Sequence, residues 1–121
     1  MSIKKILIVD SSQAGRLSVS ALLESKGYVA ITAGDGHEAM DKARREQPDL
    51  VLIDVVIPGP NGFQVTRDMT RAPETQHIPV VICGRRRGEV DRVWGLRQGA
   101  RNYLVKPLAE RELFDTIASL E

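Results

Sequence analysis

Three charged residues occupy equivalent places in the chain, each directly after a short apolar run. Asp10 follows Ile6-Leu7-Ile8-Val9, Asp54 follows Leu50-Val51-Leu52-Ile53, and Lys106 follows Tyr103-Leu104-Val105. A lone aspartate in such a place is an ordinary turn or helix-capping residue. Two carboxylates and an ammonium on one edge are not what a hydrophobic core requires; they suit phosphoryl transfer to a carboxylate. A carboxylate nucleophile needs a cation to blunt its repulsion from the incoming phosphate, and the transferred group needs donors for its equatorial oxygens. Mg²⁺ is the expected ion, because it binds through one or two carboxylates together with water and phosphate oxygens. Lys106 would be the point charge that holds the phosphate. Asp54 is the better nucleophile, since its run is the one expected at the centre of the fold. The loop after it, Pro58-Gly59-Pro60-Asn61-Gly62, is small and open.

For these groups to meet, the chain must alternate strand and helix. The strands are expected at 6–9, 28–33, 50–53, 80–83 and 103–105, where apolar residues follow one another without alternation, as in parallel strands buried on both faces. Amphipathic stretches lie between them. Ala14, Leu17, Ala21 and Leu22 share a face of the first, which ends before Gly27. His37 to Gln47 turns Ala39, Met40 and Ala43 inward, and Gly62 to Arg71 groups Val65, Thr66 and Met69. Glu89 to Gln98 offers Val90, Val93 and Trp94, with Trp94 expected against the sheet, and Leu113, Ile117 and Leu120 line the last helix. Five such pairs predict an α/β, flavodoxin-like (βα)5 doubly wound parallel sheet with strand order 2-1-3-4-5. Ligands in such sheets bind beyond the carboxyl ends of the strands, where the order reverses. Gly84 is the residue at that level after the fourth strand.

Composition narrows the classes. The 121 residues predict one domain, 1–121, with no appended output domain. Seventeen basic and sixteen acidic side chains nearly cancel, which argues against nucleic acid or membrane held by bulk charge. The arginines at 85, 86, 87, 92, 97 and 101 are read as a solvated face with some use in protein docking. One cysteine, Cys83, excludes an internal disulfide, and its apolar surroundings predict a small buried hydrophobe. No signal peptide or membrane-length apolar run is present, so the cytoplasm is the expected compartment.

Four stretches, Ile6-Leu7-Ile8-Val9-Asp10, Pro48 to Asp54, Ile78-Pro79-Val80-Val81 and Tyr103-Leu104-Val105-Lys106-Pro107, resemble the receiver domain of two-component response regulators, in order and over essentially the whole chain. Asn61-Gly62-Phe63-Gln64, Val93-Trp94-Gly95 and Arg97-Gln98-Gly99-Ala100-Arg101 further resemble the stand-alone receivers of type IV pilus twitching motility. The resemblance implies that Asp54 accepts a phosphoryl group from a histidine kinase or phosphotransfer protein, with Mg²⁺ at Asp10, Asp54 and the backbone carbonyl of Val56. It makes Lys106 the phosphate contact, with a cis bond to Pro107, and Tyr103 the aromatic that changes rotamer on activation. The output is then a protein contact on the face formed by helix 4, strand 5 and helix 5.

Two positions depart from the family pattern. Ser11 stands where the family has its second acidic residue, so a carboxylate is lost from the metal site and weaker Mg²⁺ binding is expected. Gly84 stands where the family has Thr or Ser, whose hydroxyl bonds the phosphoryl group. A degenerate receiver that docks a partner without phosphate is therefore the alternative reading. Two other classes fit less well. A haloacid-dehalogenase-type phosphatase needs an aspartate at the position of Ser12, and a flavin module on the Ser11 to Gly15 loop leaves Asp54 and Lys106 unexplained.

Overall fold

The computed structural model describes residues 2–85 and 88–121. Their elements alternate as β1 (Lys5–Val9), α1 (Gln13–Glu24), β2 (Val29–Ala33), α2 (Gly36–Glu46), β3 (Leu50–Asp54), α3 (Gly62–Arg71), β4 (Val80–Gly84), α4 (Glu89–Arg97), β5 (Asn102–Val105) and α5 (Glu110–Ser119). The five strands form one parallel sheet in the order β2-β1-β3-β4-β5, the flavodoxin-like order expected from the sequence. β3 sits at the centre, and its register sets Ile53 beside Val9 on one side and Asp54 beside Cys83 on the other. Asp54 and Gly84 are thus the last residues of their strands rather than the first residues beyond them.

Successive strand residues point to opposite faces, and each face has its own core. Leu7, Val9, Val51, Ile53 and Ile82 meet Ala39 and Ala43 of α2 and Val65 and Met69 of α3. Ile6, Ile8, Leu52, Val81, Cys83 and Leu104 meet Leu23 of α1 and Leu113 and Ile117 of α5. Three helices start on side-chain caps: Ser12 accepts from the Gly15 N–H, Asp35 from Glu38, and Asn61 from Gln64 in a reciprocal capping box.

Two helix faces differ from the sequence expectation. On α1, the stripe of Ala14, Leu17 and Ala21 faces water, with Leu17 64% exposed. Leu22 packs inward as expected, but with Val19 and Leu23 as its neighbours in the core. The reason lies at the start of the helix, where a Cβ on Gly15 would come within 2.6 Å of Asp10 Oδ2. The helix docks by that glycine, and positions four and eight residues later, Val19 and Leu23, follow it inward. On α4, Val90, Val93 and Trp94 are all exposed, and Gly95 is the buried residue. A Cβ there would lie 3.1 Å from Ile82 Cδ1, so the backbone of α4 itself approaches the sheet.

Candidate functional site

The carboxyl ends of β1, β3 and β5 bring Asp10, Asp54 and Lys106 together. Lys106 Nζ donates to Asp10 Oδ2 at 2.8 Å and to Asp54 Oδ2 at 3.1 Å. Asp10 is 6% exposed and Asp54 4%, so both carboxylates are taken largely out of water. An uncompensated buried carboxylate pair would be costly, and the ammonium is what offsets it. Burial pulls the Lys106 pKa down, but the hydrogen bonds and negative charges of Asp10 and Asp54 outweigh it and hold the pKa above the ordinary lysine value.

The backbone fixes each partner. The Asp10 N–H donates to Ala33 O, and its Oδ1 accepts the Ser12 N–H at 2.9 Å, which aims the other oxygen at Lys106. The Lys106 N–H donates to Gly84 O at 2.7 Å, continuing the sheet past the end of β5. The Gly62 N–H donates to Val55 O at 2.9 Å, folding the loop after Asp54 tightly onto α3. A Cβ on Gly62 would lie 2.9 Å from the Asp54 carbonyl carbon, so that close turn requires glycine. The Lys106-Pro107 bond is cis, as expected.

The arrangement is one cation holding two buried carboxylates on the rim of a parallel sheet at its switch point. Residues 6–118 match the family model described as the response regulator receiver domain. The chain belongs to that family. It is 48% identical over 113 residues to the protein PilH of Pseudomonas aeruginosa, covering 93% of each chain. It is 40% identical over 116 residues to the response regulator PleD of Caulobacter vibrioides, but spans only 26% of that protein. In structure it is similar to the chemotaxis response regulator CheY4 of Vibrio cholerae, with TM-score 0.91, 29% identity, and coverage of 99% of this chain and 100% of the other. Receivers are signalling modules. They interact with histidine kinases or phosphotransfer proteins and with downstream targets, and generally bind Mg²⁺ at the acidic phosphorylation site.

In this receiver the donor set suits Mg²⁺ in kind, since Asp10 and Asp54 present hard carboxylate oxygens. It is thin in number. Among the described residues no group of three His, Cys, Asp or Glu side chains gathers, and Ser11, exposed beside Asp10, adds only a hydroxyl. Asp10 is further committed to the Ser12 N–H and to Lys106. Val56 lies two residues past Asp54 in the loop before α3, with its side chain in water.

The ends of β4 and β5 are built differently. Tyr103 is buried, with its ring lying over Gly84. Trp94, expected against the sheet, is 49% exposed and lines an open groove along α4 with Val90, Val93 and Arg97. Of the arginine cluster, Arg85, Arg92, Arg97 and Arg101 lie on the surface or close to it, while 86 and 87 fall outside the described residues. Cys83 is a buried free thiol, as expected, and burial pushes its pKa up to about 12.

One residue near the site carried no mark in the sequence reading. Arg16 donates from a guanidinium nitrogen to the Asp10 carbonyl at 2.7 Å and so steadies the turn after β1. The signal for it was its place: a cation early in a helix opposes the macrodipole, and its presence there calls for another partner.

Proposed function

We propose that Asp54 is the phosphoacceptor of this receiver. Its carboxylate oxygen attacks the phosphorus of a phosphohistidine on a histidine kinase or phosphotransfer protein. The N–P bond breaks, an acyl phosphate forms on Asp54, and the imidazole departs with the electron pair and picks up a proton. The observation that carries this reading is the contact of Lys106 Nζ with both Asp10 and Asp54, which sets a cation beside the attacking oxygen and leaves it in reach of the transferred group. When Mg²⁺ is bound, Asp10, Asp54, the Val56 carbonyl and the Ser11 hydroxyl would hold it, and it would neutralise charge on the phosphoryl oxygens. Ser11 in place of a carboxylate makes that binding weak.

The output is a protein contact on the α4–β5–α5 face, supported by the exposed Val90 and Trp94 beside Arg97. The nearly balanced charge of the chain favours a protein over nucleic acid as the partner. Among the described residues no helix is long and apolar enough to cross a membrane, which is compatible with action in the cytoplasm. The 48% identity to PilH over nearly the whole of both chains supports a single-domain receiver in type IV pilus twitching motility.

The test is intact-protein mass spectrometry after incubation with Mg²⁺ and a small phosphodonor. One phosphoryl adduct is expected, and none on Asp54→Asn. A folded wild-type protein that takes no adduct from the donor or from a cognate kinase would overturn this reading and favour a phosphate-independent docking module.

A further inference from the structure

The Tyr103 ring occupies the volume that a side chain at position 84 would fill. A Cβ built on Gly84 would sit 2.6 Å from Tyr103 Cζ and 3.0 Å from Cε2, and closer still to Oη. Such separations do not occur between non-bonded atoms, so this ring position and a side chain at residue 84 exclude one another. On the α4 side the ring lies beside Gly95, where even a built Cβ would make only ordinary contact, 3.8 Å from Tyr103 Cδ2. The ring is only 7% exposed there and packs with the core of that face, including Ile82. Outside, Tyr103 also borders a recess of about 300 Å³ between α4 and α5, with Glu89, Arg92, Pro107 and Glu112 on its walls.

We infer that Gly84 makes the inward Tyr103 a fixed part of this fold, so that the ring keeps its seat whether or not Asp54 carries a phosphoryl group. The argument is one of differential interaction. A modification shifts an equilibrium between two ring positions only if it interacts differently with them. A side chain at residue 84, at the end of the strand that pairs with β3, would be one such intermediary, because it would compete with the ring for space. Glycine has no such group. Meanwhile swinging outward would expose a large aromatic surface and leave a void over Gly84, and both are unfavourable. The recess beside Tyr103 is therefore present in both states, and phosphorylation reaches the α4–β5–α5 face by a route other than this ring. The second half of this inference rests on Asp54 as phosphoacceptor; the seat itself does not.

NMR on protein uniformly labelled with ¹³C and ¹⁵N, following the Tyr103 ring and the Hα protons of residue 84, tests both halves. In the unmodified wild type, Overhauser contacts between the Tyr103 ring and the Gly84 Hα protons are expected. They should persist, with unchanged ring shifts, after Mg²⁺ and beryllium fluoride are added as a phosphoryl mimic. Gly84→Ala should lose them while keeping a dispersed amide spectrum. The inference is overturned if the contacts are missing from the unmodified wild type, if they change when the mimic binds, or if they survive in Gly84→Ala. If Gly84→Ala does not fold, the wild-type spectra alone decide. A mimic that leaves the Asp54 amide unmoved counts against the phosphoacceptor reading and not against the seat, which the unmodified protein settles.

Discussion

α3 and α4 pack on the same face of the sheet and differ by one residue in length, yet they are held in opposite ways. α3 begins in a capping box on Asn61 and Gln64 and buries Gly62, Val65, Thr66 and Met69. α4 begins at Gly88 with no side-chain cap, buries only Gly95, and turns Val90 (81% exposed) and Trp94 to water. The difference follows the division of labour across the site. α3 anchors the loop that leaves Asp54, so that carboxylate stands on a rigid flank. α4 rests on the sheet by backbone contact and leaves Val90, Val93 and Trp94 exposed.

The sharpest way to break that contrast is to cut the anchor. Met69 is fully buried between α3 and the sheet. Met69→Ala should cost about 3 kcal/mol in chemical denaturation, from lost burial and the cavity left behind. A loss near zero would mean that α3 is no better fastened than α4.

The next effect bridges the two flanks. Lys106 lies just past β5, while its charge partners lie just past β1 and at the end of β3. Lys106→Met leaves two buried carboxylates facing each other and should cost about 2 kcal/mol at neutral pH, a figure reduced because the ammonium is partly exposed. The pH dependence has a fixed sign. The folded-state pKa of Lys106 is raised, so its contribution is complete below the unfolded lysine value of about 10.4 and fades as pH rises through the folded value. Denaturation of wild type and Lys106→Met should therefore converge at strongly alkaline pH, and parallel curves there would remove the ion pair as the cause.

The smallest expected effect is on the other side of the comparison. Trp94→Ala should leave stability within about 0.5 kcal/mol, because the ring is half in water. The same substitution should weaken capture of the output partner by at least about tenfold, as for a buried aromatic anchor. A large stability loss would show that α4 leans on Trp94 rather than on Gly95.

The sheet was legible in the sequence because unbroken Val, Ile and Leu runs have one economical parallel arrangement, and the strand ends then delivered Asp10, Asp54 and Lys106 to one place. The faces of α2, α3 and α5 were equally readable. The faces of α1 and α4 were not, and for one reason. Each helix meets its neighbours through a glycine, Gly15 against the Asp10 carboxylate and Gly95 against Ile82, and a residue without a side chain adds nothing to a hydrophobic pattern. Ala14, Leu17 and Ala21 therefore looked like a buried stripe, as did Val90, Val93 and Trp94. In the sequence Gly84 marks only a missing hydroxyl; the structure adds the other half of its meaning, the room it gives to Tyr103.

Cys83 takes no part in the chemistry, yet it stands beside Asp54 in the register of the central strands. Its sulfur is sealed from solvent and held as the neutral thiol. A thiol-directed label can reach it only when β4 parts from the α5 side of the sheet, so the labelling rate counts those openings. As the sole cysteine, it is a built-in clock for how often the strand next to Asp54 comes undone, and it needs no engineered probe to be read.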